Sequence, residues 1–165
     1  MKLVLAPMEG VVDFKMRQLL TNIGGFDLCV TEFVRVIDKC LPAKVFHRYC
    51  PELNNNGLTK AATPVRVQLL GQVADVLAEN AVRAIELGCP AKTVNKSRGG
   101  AVLLKDPDHM YNIIKAVRDA VDSKHQVSAK IRLGFDDDSN SQEIVDAVVS
   151  AGADSIAIHA RTKRD

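Results

Sequence analysis

Several polar side chains interrupt or follow apolar stretches of this 165-residue sequence, at positions where they could serve an active site. Lys130 and Arg132 alternate with apolar residues in VSAKIRL, so both lie on one face of a strand. His159 closes the run SIAIHA, and Gln68 lies within VRVQLL. Cations that point into a parallel sheet are costly to bury unless a partner is bound. The alternative is that Lys130 and Arg132 face solvent or pair with Glu32.

A second candidate is Cys89, which stands in Gly-Cys-Pro near basic and glycine residues. A thiol in such a loop could take part in proton transfer, whereas a lone cysteine can equally be an inert small hydrophobe. The four cysteines form no CxxC pair and have no histidine at metal-ligand spacing. The sequence therefore predicts free thiols in a reducing compartment and no metal site.

Charge and composition are those of an ordinary globular protein, with a net charge of +2 and 25% charged residues. Basic residues nevertheless cluster in residues 89–105, which contain no acid, and in residues 35–48. Such runs are often solvated surface, but they could also contact a polyanion. No stretch approaches the roughly 18 apolar residues of a membrane span, and the start is too short for a secretory signal. We therefore expect a cytoplasmic protein.

Apolar runs alternate with amphipathic stretches along the chain. Four helices are predicted: from Asp13 to Ile23, over 73–87, from Asp106-Pro107 to 121, and from a Ser139–Gln142 capping box to 151. The residues expected to face inward on the first three are Met16, Leu19, Leu20 and Ile23; Leu77, Ala81, Ala84 and Ile85; and Met110, Ile113, Ile114, Val117 and Val121. Strands are predicted at 3–8, 28–33, 65–70, 127–133 and 155–160, and residues 36–62 are expected to be irregular.

This alternation indicates an α/β fold with a parallel sheet covered by helices. An open doubly wound sheet and a barrel both satisfy it, but no GxGxxG follows the first strand, which disfavours a dinucleotide-binding sheet. Five predicted strands are fewer than the eight of a (β/α)₈ TIM barrel, so the sequence predicts an incomplete barrel.

One strand is missing from this alternation of strands and helices. The helix that ends near Leu87 leads directly to Cys89-Pro90, and no strand is predicted before the next helix at 107. A strand of about six residues would span about 20 Å, whereas bonded Cα atoms are about 3.8 Å apart. We therefore predict that a strand-length segment separates Gly88 from Cys89, which would place the thiol at the carboxyl ends of the strands.

Together these residues resemble the tRNA-dihydrouridine synthase family. The resemblance runs over essentially the whole chain and is carried by LAPM, GCP-x-K and K-x-R-x-G in combination, found here as LAPM, GCPAK and KIRLG. TEFVRV and KVFHRYCPEL are most similar to the bacterial C-type subfamily, which acts on the uridine at position 16 of the D-loop. The family fold is a TIM barrel followed by a helical tRNA-binding domain, so residues 1–165 would be part of the FMN-binding catalytic barrel without the helical domain.

The resemblance also implies roles for individual residues. FMN would be reduced by NADPH and would then reduce a tRNA uridine, and Cys89 would donate the proton. The implied FMN contacts are Pro7, Met8, Glu9, Gln68, Lys130 and His159. The implied tRNA contacts are Arg35, Lys92 and Arg132. We expect a monomer in the complete form, with no metal and no membrane contact.

Two departures from the family pattern keep other hypotheses open. The family's Asp-aliphatic-Asn strand before Gly-Cys-Pro is absent, as are the later strands that bind the FMN phosphate, so we expect that residues 1–165 alone do not retain FMN. One alternative is another FMN barrel that reduces a free pyrimidine or an enone. The other is a catalytically inactive barrel fragment that binds RNA weakly or not at all.

Overall fold

The computed structural model describes residues 1–89, 92–96 and 100–164, with side chains described for 1–89 and 102–164. The strands are β1 (Val4–Leu5), β2 (Leu28–Arg35), β3 (Val65–Gly71), β4 (Lys92–Lys96), β5 (Val127–Arg132) and β6 (Ser155–His159). The helices are α1 (Phe14–Ile23), α2 (Ala43–Tyr49), α3 (Ala74–Glu86), α4 (Pro107–Ala120) and α5 (Ser141–Ser150). Short 3-10 helices cover Pro51–Asn55 and Gly100–Lys105.

The six strands form one sheet in the order β1-β2-β3-β4-β5-β6, and every neighbouring pair is parallel. Strand order that follows chain order is what repeated right-handed βα units produce. The predicted parallel α/β sheet is therefore confirmed. Among the described residues the sheet does not close, since β1 and β6 pair on one side only. It is consistent with an incomplete barrel.

The core lies between the sheet and the helices. The predicted apolar stripe of α4 is confirmed, because Met110, Ile113, Ile114 and Val117 are all buried. On α3, Leu77, Ala81 and Ala84 are buried as expected. Helices α3 and α4 pack against each other and against the sheet, and their buried residues form one core with those of the central strands.

Helix starts follow the predicted capping residues in two of three cases. Asp13 accepts from Met16 N–H at 2.9 Å, and Asp106 accepts from His109 N–H at 2.9 Å. The predicted capping box at Ser139 is wrong, because α5 begins after Asn140, and the Ser139 hydroxyl donates to Asp137 instead. A local turn between neighbouring polar side chains competes successfully with the cap.

Replacement of Asp106 by alanine is expected to lower the free energy of unfolding by about 1 kcal/mol, the usual cost of losing a helix N-cap. The substitution leaves the His109 N–H without its carboxylate partner. Urea denaturation followed by circular dichroism measures the change. The control is Asp108→Asn, which removes a charge from the first turn of α4 but no cap, and it should cost only a few tenths of a kcal/mol. Equal effects of the two substitutions would contradict the role of Asp106 as the cap.

Two further expectations are corrected by the structure. Residues 36–62 are not wholly irregular, since they contain α2 and a 3-10 helix. The inward face of α1 is also different from the predicted one, because Arg17 and Thr21 are buried while Leu19 and Ile23 are 57% and 77% exposed. The α1 face is set by an ion-pair partner on the 3-10 helix, which a hydrophobic pattern does not reveal.

The predicted gap between Gly88 and Cys89 is wrong. The Gly88 N–H donates to Ile85 C=O at 2.8 Å, and the Cys89 N–H donates to Ala84 C=O at 3.0 Å, so both residues belong to one continuous helix cap. Gly88 has φ +102°, and a Cβ there would lie 3.0 Å from the Leu53 carbonyl oxygen. The unpredicted strand β4 then follows Cys89, so the described residues form six strands where the sequence predicted five.

Two absences concern only the parts of the chain that the structure describes. No helix there is long and apolar enough to cross a membrane. Within the same residues, no group of three or more histidine, cysteine or acidic side chains is arranged to hold a metal ion.

Candidate functional site at the carboxyl ends of the strands

A cavity of about 610 Å³ runs along one face of the sheet, and residues at the amino-terminal ends of the strands, such as Leu28, Arg66 and Ser155, also line it. Four of the residues predicted to contact a cofactor line it together: Pro7, Met8, Lys130 and His159. They come from the segment after β1, from β5 and from the end of β6, which are separate parts of the chain. Side chains at the carboxyl ends of parallel strands meet in this way because all strands point in the same direction.

Strand register places the polar residues at successive heights on this face. Gln68 pairs with Thr93, which pairs with Ser128 on the next strand. Two residues closer to the carboxyl end of β5, Lys130 pairs with Ala157. At the carboxyl end itself, Arg132 pairs with His159. Residues two apart on a strand point to the same face, so the cations lie above Ser128 toward the carboxyl ends.

Gln68 has an unsatisfied acceptor in the interior. Its side chain is 2% exposed, and its Oε1 atom has no hydrogen-bond partner. Its backbone N–H is bound by Thr31 Oγ1 at 3.0 Å, where a register shift in β2 between Val30 and Phe33 interrupts the regular pairing. An orphaned buried amide oxygen costs free energy, which a ligand N–H donor could recover.

Lys130 is a half-buried cation. Among the described residues it has no hydrogen-bond or ion-pair partner, whereas Arg132 donates to the Thr162 carbonyl at 2.8 Å. Burial lowers the pKa of Lys130, and the neighbouring Arg132 lowers it further. The expected alternative, a salt bridge from either residue to Glu32, is not formed in the described part of the chain. A desolvated cation at a cavity wall favours a bound anion.

His159 is the last residue of β6, is exposed, and lines the cavity together with Lys130. Its pKa is lowered, chiefly by desolvation and then by the positive charges of Lys130, Arg132 and Arg161. The imidazole is therefore shifted toward its neutral form, in which one ring nitrogen donates and the other accepts. A neutral histidine beside cations can hydrogen-bond a ligand oxygen without adding to the local charge.

The segment after β1 forms one wall of the site. Met8 is 57% exposed, and its carbonyl accepts from the N–H groups of Val11 and Val12, which closes a turn. The Gly10 N–H donates to Glu32 Oε1 at 2.5 Å, so the turn is tied to β2. Glu9 lies in this exposed turn and is not among the cavity-lining residues.

The residues predicted to contact tRNA are not all brought together. Arg35 ends β2 on the carboxyl side, is exposed, and lies over the Phe33 ring at 5.5 Å. Arg132 is at the same end of the sheet on β5. Lys92, however, is the first residue of β4, at the amino-terminal end, and its side chain lies outside the described residues.

Cys89 is separated from these residues. It precedes β4 by three positions and is 2% exposed, with its Sγ atom 3.4 Å from the Val67 N–H that donates to it. The carboxyl end of β4 is at Lys96, and four residue steps from Lys92 to Lys96 cover about 13 Å. The structure therefore does not place the thiol at the end of the sheet where Lys130 and His159 lie.

A larger groove of about 1030 Å³ lies on the outer surface between α3, α4 and residues 40–42. Its rim carries the carboxylates of Asp75, Glu79, Glu86 and Asp119 against the single cation Arg83. That charge is unsuited to an anionic cofactor or to RNA. The cavity of about 610 Å³ is the better candidate despite its smaller volume, because its polar groups come from several strands.

The sequence did not single out Arg66, a further lining residue of the cavity. Its Nη2 atom donates to Gln126 Oε1 at 2.6 Å, while its buried Nε atom has no partner. Burial lowers the pKa of Arg66. The signal was present, since Arg66 is two residues before Gln68 in VRVQLL and alternation places both on one face.

Comparisons with known proteins find relatives that are named tRNA-dihydrouridine(16) synthase. It is 56% identical over 174 residues to the tRNA-dihydrouridine(16) synthase of Haemophilus influenzae, covering 100% of this chain and 56% of that protein. It is 55% identical over 172 residues to the protein of that name from Escherichia coli, covering 99% of this chain and 55% of that protein. The chain thus spans about half the length of these relatives. The first alignment has 174 positions for 165 residues, so at least 174 − 165 = 9 positions have no residue of this chain opposite.

Solved structures support the fold alone. The carboxyl transferase domain of Rhizobium etli pyruvate carboxylase superposes with a TM-score of 0.60 over 94% of this chain and 26% of that chain, at 17% identity.

The family profile described as "Dihydrouridine synthase (Dus)" matches residues 4–165, nearly the whole sequence. With that match and the identity to the curated relatives, the chain belongs to the dihydrouridine synthase family.

Proposed function

We propose that this chain forms the flavin- and uridine-binding part of a tRNA-dihydrouridine synthase barrel that acts on the uridine at position 16 of the D-loop. The observation that carries the proposal is the convergence of Pro7, Met8, Lys130 and His159 on one cavity, in a chain about 55% identical to tRNA-dihydrouridine(16) synthases. The substrate is inferred from the relatives' names, and the cavity is the proposed place of the reaction.

The residues present fit a flavin. Arg66 lines the cavity, and its unpartnered Nε atom can donate to a ring oxygen. Gln68 is not among the lining residues, but it lies on the same face of β3, and its orphaned Oε1 atom is an acceptor for a ring N–H. Lys130 provides a desolvated positive charge at the cavity wall, which stabilises negative charge on a bound ring. The exposed turn with Pro7 and Met8 can cover one edge of a planar ligand. When bound, FMN supplies the hydride that reduces the C5–C6 bond of uracil, with NADPH as the reductant.

Arg35 and Arg132 are the proposed tRNA contacts, since both lie at the carboxyl ends of their strands. A uridine must leave the folded D-loop before its ring can enter a cavity. Phosphate contacts from these guanidinium groups would hold the RNA while the base is inserted, and binding through them should weaken with salt. Such a role is exercised where tRNA is found, in the cytoplasm.

Exposed apolar side chains indicate how the sheet is completed. They are concentrated on the two edges, on β1 and α1 at one side and on α5 and β6 at the other. The large ones at these edges are Leu3, Val4, Met8, Val11, Phe14, Leu19, Ile23, Val149 and Ile158, while Ile37, Val73 and Val102 are exposed elsewhere. A parallel sheet is normally covered on both faces and closed or helix-flanked at its edges. We propose that further βα units close this sheet into the (β/α)₈ barrel of the complete protein.

The test uses a fusion of residues 1–165 with the part of the Haemophilus influenzae relative that this chain does not cover. Purified fusion should bind FMN, with the visible absorbance of a protein-bound flavin, and NADPH should bleach it. It should also bind tRNA with an affinity that falls as salt rises. Absence of bound flavin would contradict the proposal.

The competing enzyme hypothesis is a barrel that reduces a free pyrimidine or an enone. Exposed Arg35, Lys39, Lys44 and Arg48 near the carboxyl end of β2 favour a polyanionic substrate instead. Charge reversal of Lys44 and Arg48, which lie on the exposed face of α2, should weaken tRNA binding and reduce its salt dependence. Unchanged binding would identify this cluster as solvated surface.

A further inference from the structure

We infer that Lys105 and Arg164 form a phosphate-binding pair for tRNA at the carboxyl ends of the strands, and that the Asp136 carboxylate occupies this pair while no RNA is bound. The inference rests on the proposed function, because it concerns how the RNA backbone is held while a uridine enters the cavity. It adds a contact surface on the connections after β4, β5 and β6, beyond the strand ends that carry Arg35 and Arg132.

The three connections that carry these side chains are joined to one another by hydrogen bonds. The Lys163 N–H, after β6, donates to the Gly134 carbonyl, after β5, at 3.1 Å. The Asn140 side chain, at the end of the β5 connection, donates to the Leu104 carbonyl, after β4, at 2.7 Å. Because the strands are parallel, all three connections leave the same end of the sheet, where the mouth of a barrel lies. Side chains on these connections are therefore held close together before any ligand binds.

Asp136 binds two cations that come from different connections. Its Oδ2 atom lies 2.6 Å from Lys105 Nζ, after β4, and its Oδ1 atom lies 2.8 Å from Arg164 Nη2, after β6. Lys105 is also held from a second side, since its Nζ atom lies 4.1 Å from the centre of the Phe135 ring. The single carboxylate balances only one of the two cations, so the group keeps a net positive charge.

A phosphodiester has the chemistry to replace this carboxylate. Both are singly charged anions with two unshared oxygens on one central atom, so each oxygen can accept a charge-assisted hydrogen bond from one cation. Contacts of lysine and arginine with phosphates are what positions a protein on a nucleic acid. The side chains of Lys105 and Arg164 are 50% and 73% exposed, and that of Asp136 is 40% exposed. A phosphate can therefore reach the pair, and the carboxylate can turn away into solvent.

Stability alone explains this group poorly. Ion pairs between side chains this exposed contribute little to folding and are screened by salt. The neighbouring Asp137 has a partner of its own, because its Oδ1 atom accepts from both the N–H and the hydroxyl of Ser139. Neither Lys105 nor Arg164 lines the cavity, so a contribution to RNA binding can be separated from flavin binding.

Salt-dependent tRNA binding by the fusion protein described above tests the pair. Lys105→Gln and Arg164→Gln should each lower the affinity for tRNA at low salt. Each should also make the loss of affinity between roughly 50 and 200 mM salt about 3-fold smaller, the contribution of one phosphate contact. FMN affinity should not change. Lys124→Gln is the matched control, because it removes a cation from an exposed ion pair with Asp122 at the opposite end of the sheet and should leave the salt dependence unchanged.

Removal of the carboxylate tests whether Asp136 occupies the pair. Asp136→Asn should raise the tRNA affinity about 2-fold to 5-fold, the scale of an exposed ion pair, because RNA no longer displaces a charged partner. Asp138→Asn removes the same charge from the same connection, but Asp138 has no ion-pair partner among the described residues, so its gain should be smaller.

Two results would overturn the inference and leave the proposed function standing. One is a salt dependence of the Lys105→Gln and Arg164→Gln variants equal to that of Lys124→Gln, with tRNA still bound. The other is an equal gain in affinity from Asp136→Asn and Asp138→Asn. Failure of the unsubstituted fusion protein to bind tRNA would overturn both the inference and the proposed function.

Discussion

Replacement of Glu52 by alanine should lower the free energy of unfolding of the 165-residue chain by about 3–5 kcal/mol, the cost of leaving one member of a buried ion pair without its partner. Arg17 is fully buried, and its Nε and Nη2 atoms each lie 3.0 Å from a Glu52 carboxylate oxygen. The same guanidinium donates to the Tyr49 carbonyl at 2.9 Å. The pair therefore joins α1 to the 3-10 helix, and urea denaturation measures its loss.

Two controls distinguish the buried pair from charge effects in general. Glu86→Ala removes an exposed partner of Arg83 and should cost at most about 0.5 kcal/mol. The double substitution Arg17→Met with Glu52→Leu should recover most of the stability lost in Glu52→Ala, because it removes both charges and fills the space. If Glu52→Ala were as mild as Glu86→Ala, the ion pair would not determine the packing of α1.

The second large effect is expected at Lys130. In the fusion protein, Lys130→Met should raise the Kd for FMN about 10-fold to 100-fold, since a charge-assisted hydrogen bond contributes about 1.5–3 kcal/mol. The chain itself should be at least as stable as before, because the substitution removes a half-buried cation that lacks a partner among the described residues. Flavin fluorescence titration measures the affinity, and urea denaturation measures the stability.

Lys124→Met is the matched control for this prediction. Lys124 lies before the amino-terminal end of β5, its side chain is 70% exposed, and it pairs with Asp122. Its replacement also removes one positive charge close to β5 in the sequence, but Lys124 does not line the cavity, so the FMN affinity should not change. A similar loss of affinity in both variants would indicate a general electrostatic effect and would remove Lys130 from the site.

The cavity could be anticipated from the sequence because it depends on a simple rule. Lys130 and His159 interrupt apolar strands near their carboxyl ends, and parallel strands bring those ends together. The stripe on α4 was equally clear, since its apolar residues recur at helical spacing and are buried. In both cases the local pattern and the tertiary environment agree.

Elsewhere the pattern and the environment disagree. The exposed Leu19 and Ile23 made the wrong face of α1 look like the core, because the burial of Arg17 depends on a carboxylate 35 positions further along the chain. Strand β4 was missed because KTVNK lacks the apolar, β-branched composition of a central strand. Because β4 was missed, the sequence predicted Cys89 at the carboxyl ends of the strands. The structure instead begins β4 at Lys92, three residues after Cys89, so the thiol lies near the amino-terminal end of that strand.

Dihydrouridine in tRNA is the most direct measure of the central claim, that this chain is the catalytic barrel part of a tRNA-dihydrouridine synthase. The fusion protein is incubated with FMN, NADPH and unmodified tRNA, and the nucleosides of the D-loop are analysed by mass spectrometry. We predict NADPH-dependent conversion of the uridine at position 16, and loss of that conversion in the Lys130→Met variant when FMN is held below its raised Kd. Bound, NADPH-reducible flavin that reduces free uracil or an enone but leaves the tRNA uridine unchanged would contradict the account.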